Sequence, residues 1–357
     1  MRAGRSIIAA LAALLLSLPL FAQAEGEGSV EGAEAPALDM QEYIFGHIGD
    51  AYEWHITTIN GKHISIPLPC IVVDNGVHIF SSEKLSHGAA HEGYRIASKG
   101  EAHEGKLVRA SDGSRPFDIS ITKNVCGLLI DSLLLIVLIL ACARWYRRHD
   151  YLKEAPRGIA GLLEPVIVMI ENDVIKEAVG PEYKKFSPYL LTAFFFILIN
   201  NLMGILPVFP GGANITGNIA VTMAMALFTF LAVNLFGNKH YWKDILWPDV
   251  PIFLKAIPLM PVIEIIGMFT KPFSLMIRLF ANIMAGHIML LSTIAIVFLT
   301  VKLGPAVNGS LSFMAVIIGV FLDVLELLVA FLQAYVFTML SSVFIGLAHQ
   351  HPETETN

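Results

Sequence analysis

Residues 251–301 are almost wholly apolar, and residues 311–347 repeat the pattern after a polar break at 302–310. At 1.5 Å of rise per residue, about fifty residues make some 75 Å of helix, against a hydrocarbon core of about 30 Å. The first segment cannot be one upright span. It is expected to cross strongly tilted, or broken near Pro258, Pro261 or Pro272. A 357-residue chain that is 55% hydrophobic and only 15% charged agrees with a polytopic membrane protein rather than one large soluble core.

One charge in that segment is out of place. Arg278 sits in KPFSLMIRLFAN, residues 271–282, with apolar runs on both sides. Arginine does not deprotonate to escape burial, and a charge at bilayer depth costs from about 3 to more than 10 kcal/mol. The nearest acids in sequence are Glu264 and, far downstream, Asp323 and Glu326. A membrane partner carrying a carboxylate is the economical source of the missing anion. The alternative is an arginine that snorkels to a headgroup.

Helical projection sorts the residues around it. Ser274, Asn282 and Ala285 fall within about 40° of the Arg278 direction, Ala281 at about 60° and Gly286 at about 80°. The resulting face bears a cation, an amide and small residues that admit another helix closely. His287 points about 180° away on a straight helix. Glu264 shares the Arg278 face, and either lines a vestibule on the cytoplasmic side or pairs with Lys255 or Lys271. On the last segment Glu326 and Gln333 are seven apart on one face, with Asp323 one turn before Glu326. Buried ionisable groups of this kind line water-filled paths or proton relays, and His287 with Glu326 makes a plausible relay pair. The competing reading of each is a hydrogen-bonded core residue.

The rest of the chain supplies topology. Arg2 and Arg5, the apolar residues 7–20 and the small-residue site Ala22-Gln23-Ala24 predict a signal peptide over residues 1–24. Residues 25–39 are Glu-, Gly- and Ala-rich and are expected to be disordered. From 52 to 82 alternating β-branched and aromatic residues are punctuated by Asn60-Gly61 and Asn75-Gly76, each a two-residue hairpin signal. A small antiparallel sheet follows from this. Residues 86–114 are polar and Gly-rich without a clear period.

Residues 125–143 form the first expected span, followed at once by Arg144, Arg147 and Arg148. The positive-inside rule puts those arginines in the cytoplasm and residues 25–124 outside, in agreement with the signal peptide. Residues 159–179 carry too many charges for a span and suit an interfacial amphipathic helix. Residues 189–209 cross outward, 210–218 turn, and 219–236 return. The fold class is therefore an all-α polytopic membrane protein. It has five spanning helices plus the interfacial helix, the last two spans long and strongly tilted. A small β-rich extracytoplasmic domain precedes a membrane domain at 125–349, and 350–357 form a cytoplasmic tail.

Cys70, Cys126 and Cys142 give neither a disulfide framework nor a metal pattern. Seven of the twelve histidines lie outside, and only His87 and His91, at i, i+4, make a metal site conceivable there. Solvated surface histidines are the simpler reading.

The run KPFSLMIRLFANIMAGH, followed by EL-x5-QAYVF from Glu326, resembles subunit a of the F-type ATP synthase over roughly residues 128–349. NNLMGILP from Asn200 resembles that family's first hairpin. The resemblance implies that Arg278 is the stator arginine, Asn282 its partner amide, and Gln333 the glutamine of the facing helix. His287 and Glu326 stand in the swapped order found in mitochondrial and some bacterial relatives, which preserves an acid–imidazole pair. It implies two offset half-channels meeting a ring of c subunits, each with one membrane carboxylate. Protons would pass His287, Asp323 and Glu326, and leave by a vestibule near Glu264. Implied partners are the c-ring, peripheral-stalk b subunits, the F1 sector indirectly and the lipid bilayer of a bacterial inner membrane. No cofactor, metal or nucleic acid is implied. Asp323 and the long 25–124 region depart from the family pattern. No G-x-x-x-x-G-K-[ST] loop occurs, so nucleotide chemistry would belong to partners and the chain is no enzyme by itself. The alternatives are a self-contained secondary transporter that binds an anionic substrate at Arg278, and a structural assembly factor. No internal repeat supports the first, and Arg278 is a costly adhesive for the second.

Overall fold

A computed structural model describes residues 49–59, 62–98, 100–150, 153–206, 209–246 and 259–349. The expected signal peptide and the Glu-, Gly- and Ala-rich stretch after it lie outside the described residues, as do Pro258, Lys255 and the C-terminal tail. The chain divides into two compact units. The first takes the chain up to Ile130 with Met203–Ile215 and Gly286–Leu325, and the second takes Asp131–Leu202, Thr216–Ala285 and the chain from Glu326.

In the first unit, seven short strands form three antiparallel sheets. β1 (Glu53–Ile59) pairs with β2 (Lys62–Pro67), with Ile59 opposite Lys62, as a two-residue connection requires. β3 (Pro69–Val73) lies between β4 (Val77–Ser81) and β7 (Phe117–Asp118), while β5 (Tyr94–Ile96) pairs with β6 (Leu107–Arg109). The expected second hairpin differs by one residue. Val73 pairs with Val77, so the loop is Asp74-Asn75-Gly76. Asn75 adopts φ 49°, the left-handed region that asparagine tolerates. The loop is held from outside, because Arg109 donates to both Asp74 carboxylate oxygens and Tyr94 Oη donates to one. The Arg109 guanidinium holds the Asp74 carboxyl below the usual carboxylate range.

Alternation along β3 turns Cys70 and Val72 inward to meet Tyr52, Phe80, Leu85, Tyr94 and Leu107. Tyr52 spans this core, donating to Asp118 and accepting from the Leu107 N–H. Burial pushes the Cys70 thiol up to about 11, so it packs as a small hydrophobe rather than a nucleophile. Residues Ser82–Gly88 form a 3-10 turn and His91 lies beyond it, in a bridge to Tyr94, so positions 87 and 91 are not on one continuous helix. No group of three metal-ligating side chains forms among the described residues.

The sheet region is joined firmly to the first membrane helix, α1 (Lys123–Arg148). The Asp50 carboxylate accepts from the Asn124 N–H, and the Ala51 carbonyl accepts from the Lys123 N–H, which satisfies two of the orphan donors at a helix start. Trp54 meets Phe209 edge-on at 5.2 Å, and a Cβ added to Gly127 would lie 2.7 Å from Ala213 Cβ. Only glycine allows α1 and the 209–215 loop to approach so closely.

The second unit is helical. α2 (Ile159–Met169) continues through a π-helical stretch, Ile170–Lys176, into the short α3 (Glu177–Val179). This segment is amphipathic as expected. Ile170, Val174 and Ile175 are fully buried, while Asp173, Lys176 and Glu177 are exposed. α4 (Tyr183–Ile205) and α5 (Ile219–Leu235) follow, then the short α6 (Lys239–Leu246). Among the described residues four helices are long and apolar enough to cross a membrane, and α5 is a shorter apolar one.

The last two elements are α7 (Leu259–Leu299) and α8 (Pro305–His349), of 41 and 45 residues. At 1.5 Å per residue they are roughly 62 and 68 Å long, about twice the hydrocarbon thickness, so an upright placement is excluded. Of the two expected solutions, a break at Pro272 does not occur, since α7 runs through it. Pro261 lies in the first turn, where a missing N–H matters least. The core of this unit gathers Phe194 and Ile197 of α4, Leu275 and Leu279 of α7, and Ala334, Phe337 and Ile345 of α8.

Candidate functional site

The packing of α7 decides which of its faces is open. Leu275, Met276, Leu279 and Ile283 are buried, whereas Ser274, Arg278, Ala281, Asn282 and Ala285 are exposed. The apolar arc is spent on the core, and the arc with the cation, the amide and the small residues is left uncovered. Arg278 forms no hydrogen bond or ion pair with any described residue. Among the described residues this cation in an apolar helix is thus exposed and without a counter-ion.

One predicted pair is brought together. Asn282 Nδ2 donates to Gln333 Oε1 at 2.8 Å, linking α7 to α8 one turn from Arg278. Gln333 is only 3% exposed. The same neighbourhood is tied to α4, because Asn201 Nδ2 donates to the Ala330 carbonyl and Asn201 Oδ1 accepts from Thr216. These bonds give the NNLMG run a structural role: its second asparagine clamps α8 just before Gln333. In a double-mutant cycle read by thermal unfolding in detergent, Asn282→Leu and Gln333→Leu should each cost about 1 kcal/mol. The double variant should cost clearly less than their sum, since both remove one bond. Strict additivity would mean that the 2.8 Å contact carries no energy.

The carboxylates of α8 lie inside the protein. Asp323 and Glu326 are each 7% exposed and three residues apart on one helix. His287, on the part of α7 that belongs to the first unit, is half-buried. A Cβ on Gly204 would sit 3.8 Å from His287 Nε2, an ordinary contact, so the end of α4 passes beside the imidazole.

Glu264 is exposed, and it forms no ion pair with Lys271, whose ammonium lies over the Phe344 ring at 5.7 Å. Its charge instead reaches Tyr241, whose phenol is pushed up first by burial and then by Glu264. Tyr241 donates to Asn234 Oδ1, and both line a small, mainly apolar pocket together with Thr229 and Lys271.

Sequence reasoning missed Asp131. It is 2% exposed within α1, and its Oδ1 has no hydrogen-bond partner among the described residues. The available signal was an acid eight residues inside an otherwise apolar span.

A family model for the ATP synthase A chain matches residues 129–346. A second model, a domain of unknown function (DUF8433), matches residues 43–125. ATP synthase subunit a 2 of Chlorobaculum tepidum is 44% identical over 247 residues, covering 67% of this chain and 66% of that protein, so the match spans just under two thirds of the relative. ATP synthase subunit a of Pelodictyon phaeoclathratiforme is 38% identical over 298 residues, covering 80% of this chain and 83% of that protein. ATP synthase subunit a of Anaeromyxobacter dehalogenans is 39% identical over 243 residues, covering 66% of this chain and 59% of that protein. With the family model covering well over half of it, from the first span to the end of α8, the chain belongs to the ATP synthase A chain family.

Proposed function

We propose that this chain is the stator subunit of an ATP synthase membrane sector, coupling proton flow to rotation of a ring of c subunits. The observation that carries the reading is Arg278, exposed on a face of small residues and without a counter-ion among the described residues. In this reading the ring presents one membrane carboxylate per subunit to that face. Beside Arg278 the carboxylate is favoured in its charged form and gives up its proton; away from it the site must be neutral to enter lipid cheaply. The guanidinium therefore separates an outer path, with His287, Asp323 and Glu326, from an inner one, with Glu264 and the pocket at Tyr241 and Asn234. Asn282, held by Gln333, limits where the arginine can sit. The subunit catalyses nothing alone; the F1 sector makes ATP, and b subunits hold this chain against the torque.

The signal peptide, the arginines after α1 and the sheet region at the head of that helix together support residues 25–124 outside, in a bacterial inner membrane, with the C-terminus in the cytoplasm. The 25–124, 125–349 and 350–357 divisions belong to this proposal too.

Cross-linking tests the partner. A cysteine at Ala285, small and exposed on the Arg278 face, should form a disulfide with a cysteine next to the ring carboxylate. One at Leu279, buried about 100° round the helix from Arg278, should not. Equal yields from both positions, or none from Ala285, would remove the assigned face.

A further inference from the structure

α1 turns a single stripe toward protein. Asn124, Gly127, Asp131 and Cys142 are buried along it, while Leu129, Leu133, Ile136 and Leu140 are exposed. At 100° per residue Asn124, Gly127 and Asp131 share an arc of about 60°. The only carboxylate of the helix thus lies on its protein-facing side, about 12 Å of helix below Lys123. Leu135, one turn further on, packs against the helical core.

Two oxygens on this arc are left unsatisfied by the described residues. Asp131 Oδ1 and Asn124 Oδ1, seven residues apart, both lack a hydrogen-bond partner among the described residues, at 2% and 6% residue exposure. Buried oxygens left unsatisfied by protein are, as a rule, satisfied by internal water. No charge accounts for the acid either. On its own helix the nearest ones are Lys123, eight residues before, and Arg144, thirteen after. The helices of its compact unit carry Glu164, Glu171, Asp173, Lys176 and Glu177 from α2 through α3, Glu264, Lys271 and Arg278 on α7, and Glu326, Tyr335 and His349 on α8, besides the groups at the start of α4 and on α6. Of these Glu164 reaches α1, at Cys142 and Tyr146. α4 beyond Tyr189 and the whole of α5 carry no ionisable side chain. None of these groups bonds to Asp131. An ionisable group turned to the interior of a membrane protein, with no structural partner, marks a path for ions.

We propose that the buried stripe of α1 is a hydrated file that brings protons to Asp131, making the first helix part of the outer proton path. Asp131 takes a proton from hydronium, leaving water, and returns to carboxylate when it passes that proton inward. The inference rests on the stator reading and on the sheet region being outside.

The test uses the whole complex in inverted membrane vesicles, with ATP synthesis driven by an imposed gradient and lumenal pH varied. Asp131→Asn keeps the shape but cannot carry a proton. It should lower synthesis by about tenfold and flatten the dependence on lumenal pH, while ATP hydrolysis and assembly persist and Asp131→Glu restores both. A wild-type rate and pH profile in Asp131→Asn overturns the inference. So does a loss confined to the amount of assembled complex, with normal turnover and pH profile per complex, which would leave Asp131 a packing residue. Arg278→Ala in the same vesicles separates the two claims. If it stays coupled, the stator reading fails; if it uncouples while Asp131→Asn keeps the wild-type rate and pH profile, only the α1 path falls.

Discussion

Inverted vesicles carrying Arg278→Ala should show no ATP-driven acidification, although the complex assembles and hydrolyses ATP. Assembly should survive because Arg278 is exposed and bonds to nothing among the described residues, so its removal opens no hole in the core around Leu275 and Leu279. Coupling should not survive. Without the cation nothing favours proton release from a passing carboxylate, and nothing separates the outer path from the inner one. Arg278→Lys is expected to recover little, because an ammonium is a compact point charge that titrates when desolvated, whereas guanidinium is a permanent planar fork. A silent exposed change on the same helix, Phe273→Leu, serves as the control. Wild-type acidification in Arg278→Ala would end the stator reading.

Gly346→Ala should deplete the subunit from the membrane. A Cβ at that position would lie 2.0 Å from the Ala178 carbonyl oxygen and 3.3 Å from Val179 Cα, all of it backbone that cannot step aside. The neighbours Ile345 and Ala348 are fully buried, and the Ala348 carbonyl accepts from the Asn238 N–H, so displacing α8 there disturbs several contacts at once. Overpacking of this kind costs about 1–3 kcal/mol or more, enough to lower the assembled amount about tenfold on immunoblots of washed membranes. Gly319→Ala on the same helix has no atom within 4 Å and should be silent. Normal levels of Gly346→Ala would show that α8 does not seat against α3 through this glycine.

The contrast between those two glycines shows where sequence reading stops. Both sit in one apolar helix and look alike in one dimension; only the packing of α3 against α8 distinguishes them. The Arg278 face was legible, because 100° per residue fixes which side chains share a side and charge in an apolar run has few explanations. So was the first hairpin, since turn chemistry is local. The second hairpin slipped by one residue because Arg109, thirty-five residues away, and Tyr94 hold its Asp74. Strands β5 and β6 were not foreseen, since three-residue strands leave no period to read.

What the sequence by itself determined is the number and length of the membrane helices, the β-rich head and the location of the odd charges. Those follow from hydropathy, periodicity and turn residues, which act over a few neighbours. What the tertiary structure alone decided is which side of each helix is covered. It set Gln333 against Asn282, fifty-one residues away, capped α1 with Asp50, seventy-four residues from Asn124, and turned Asp131 inward while leaving Arg278 out. Burial is a property of the neighbours that arrive from elsewhere in the chain, and no local pattern encodes it.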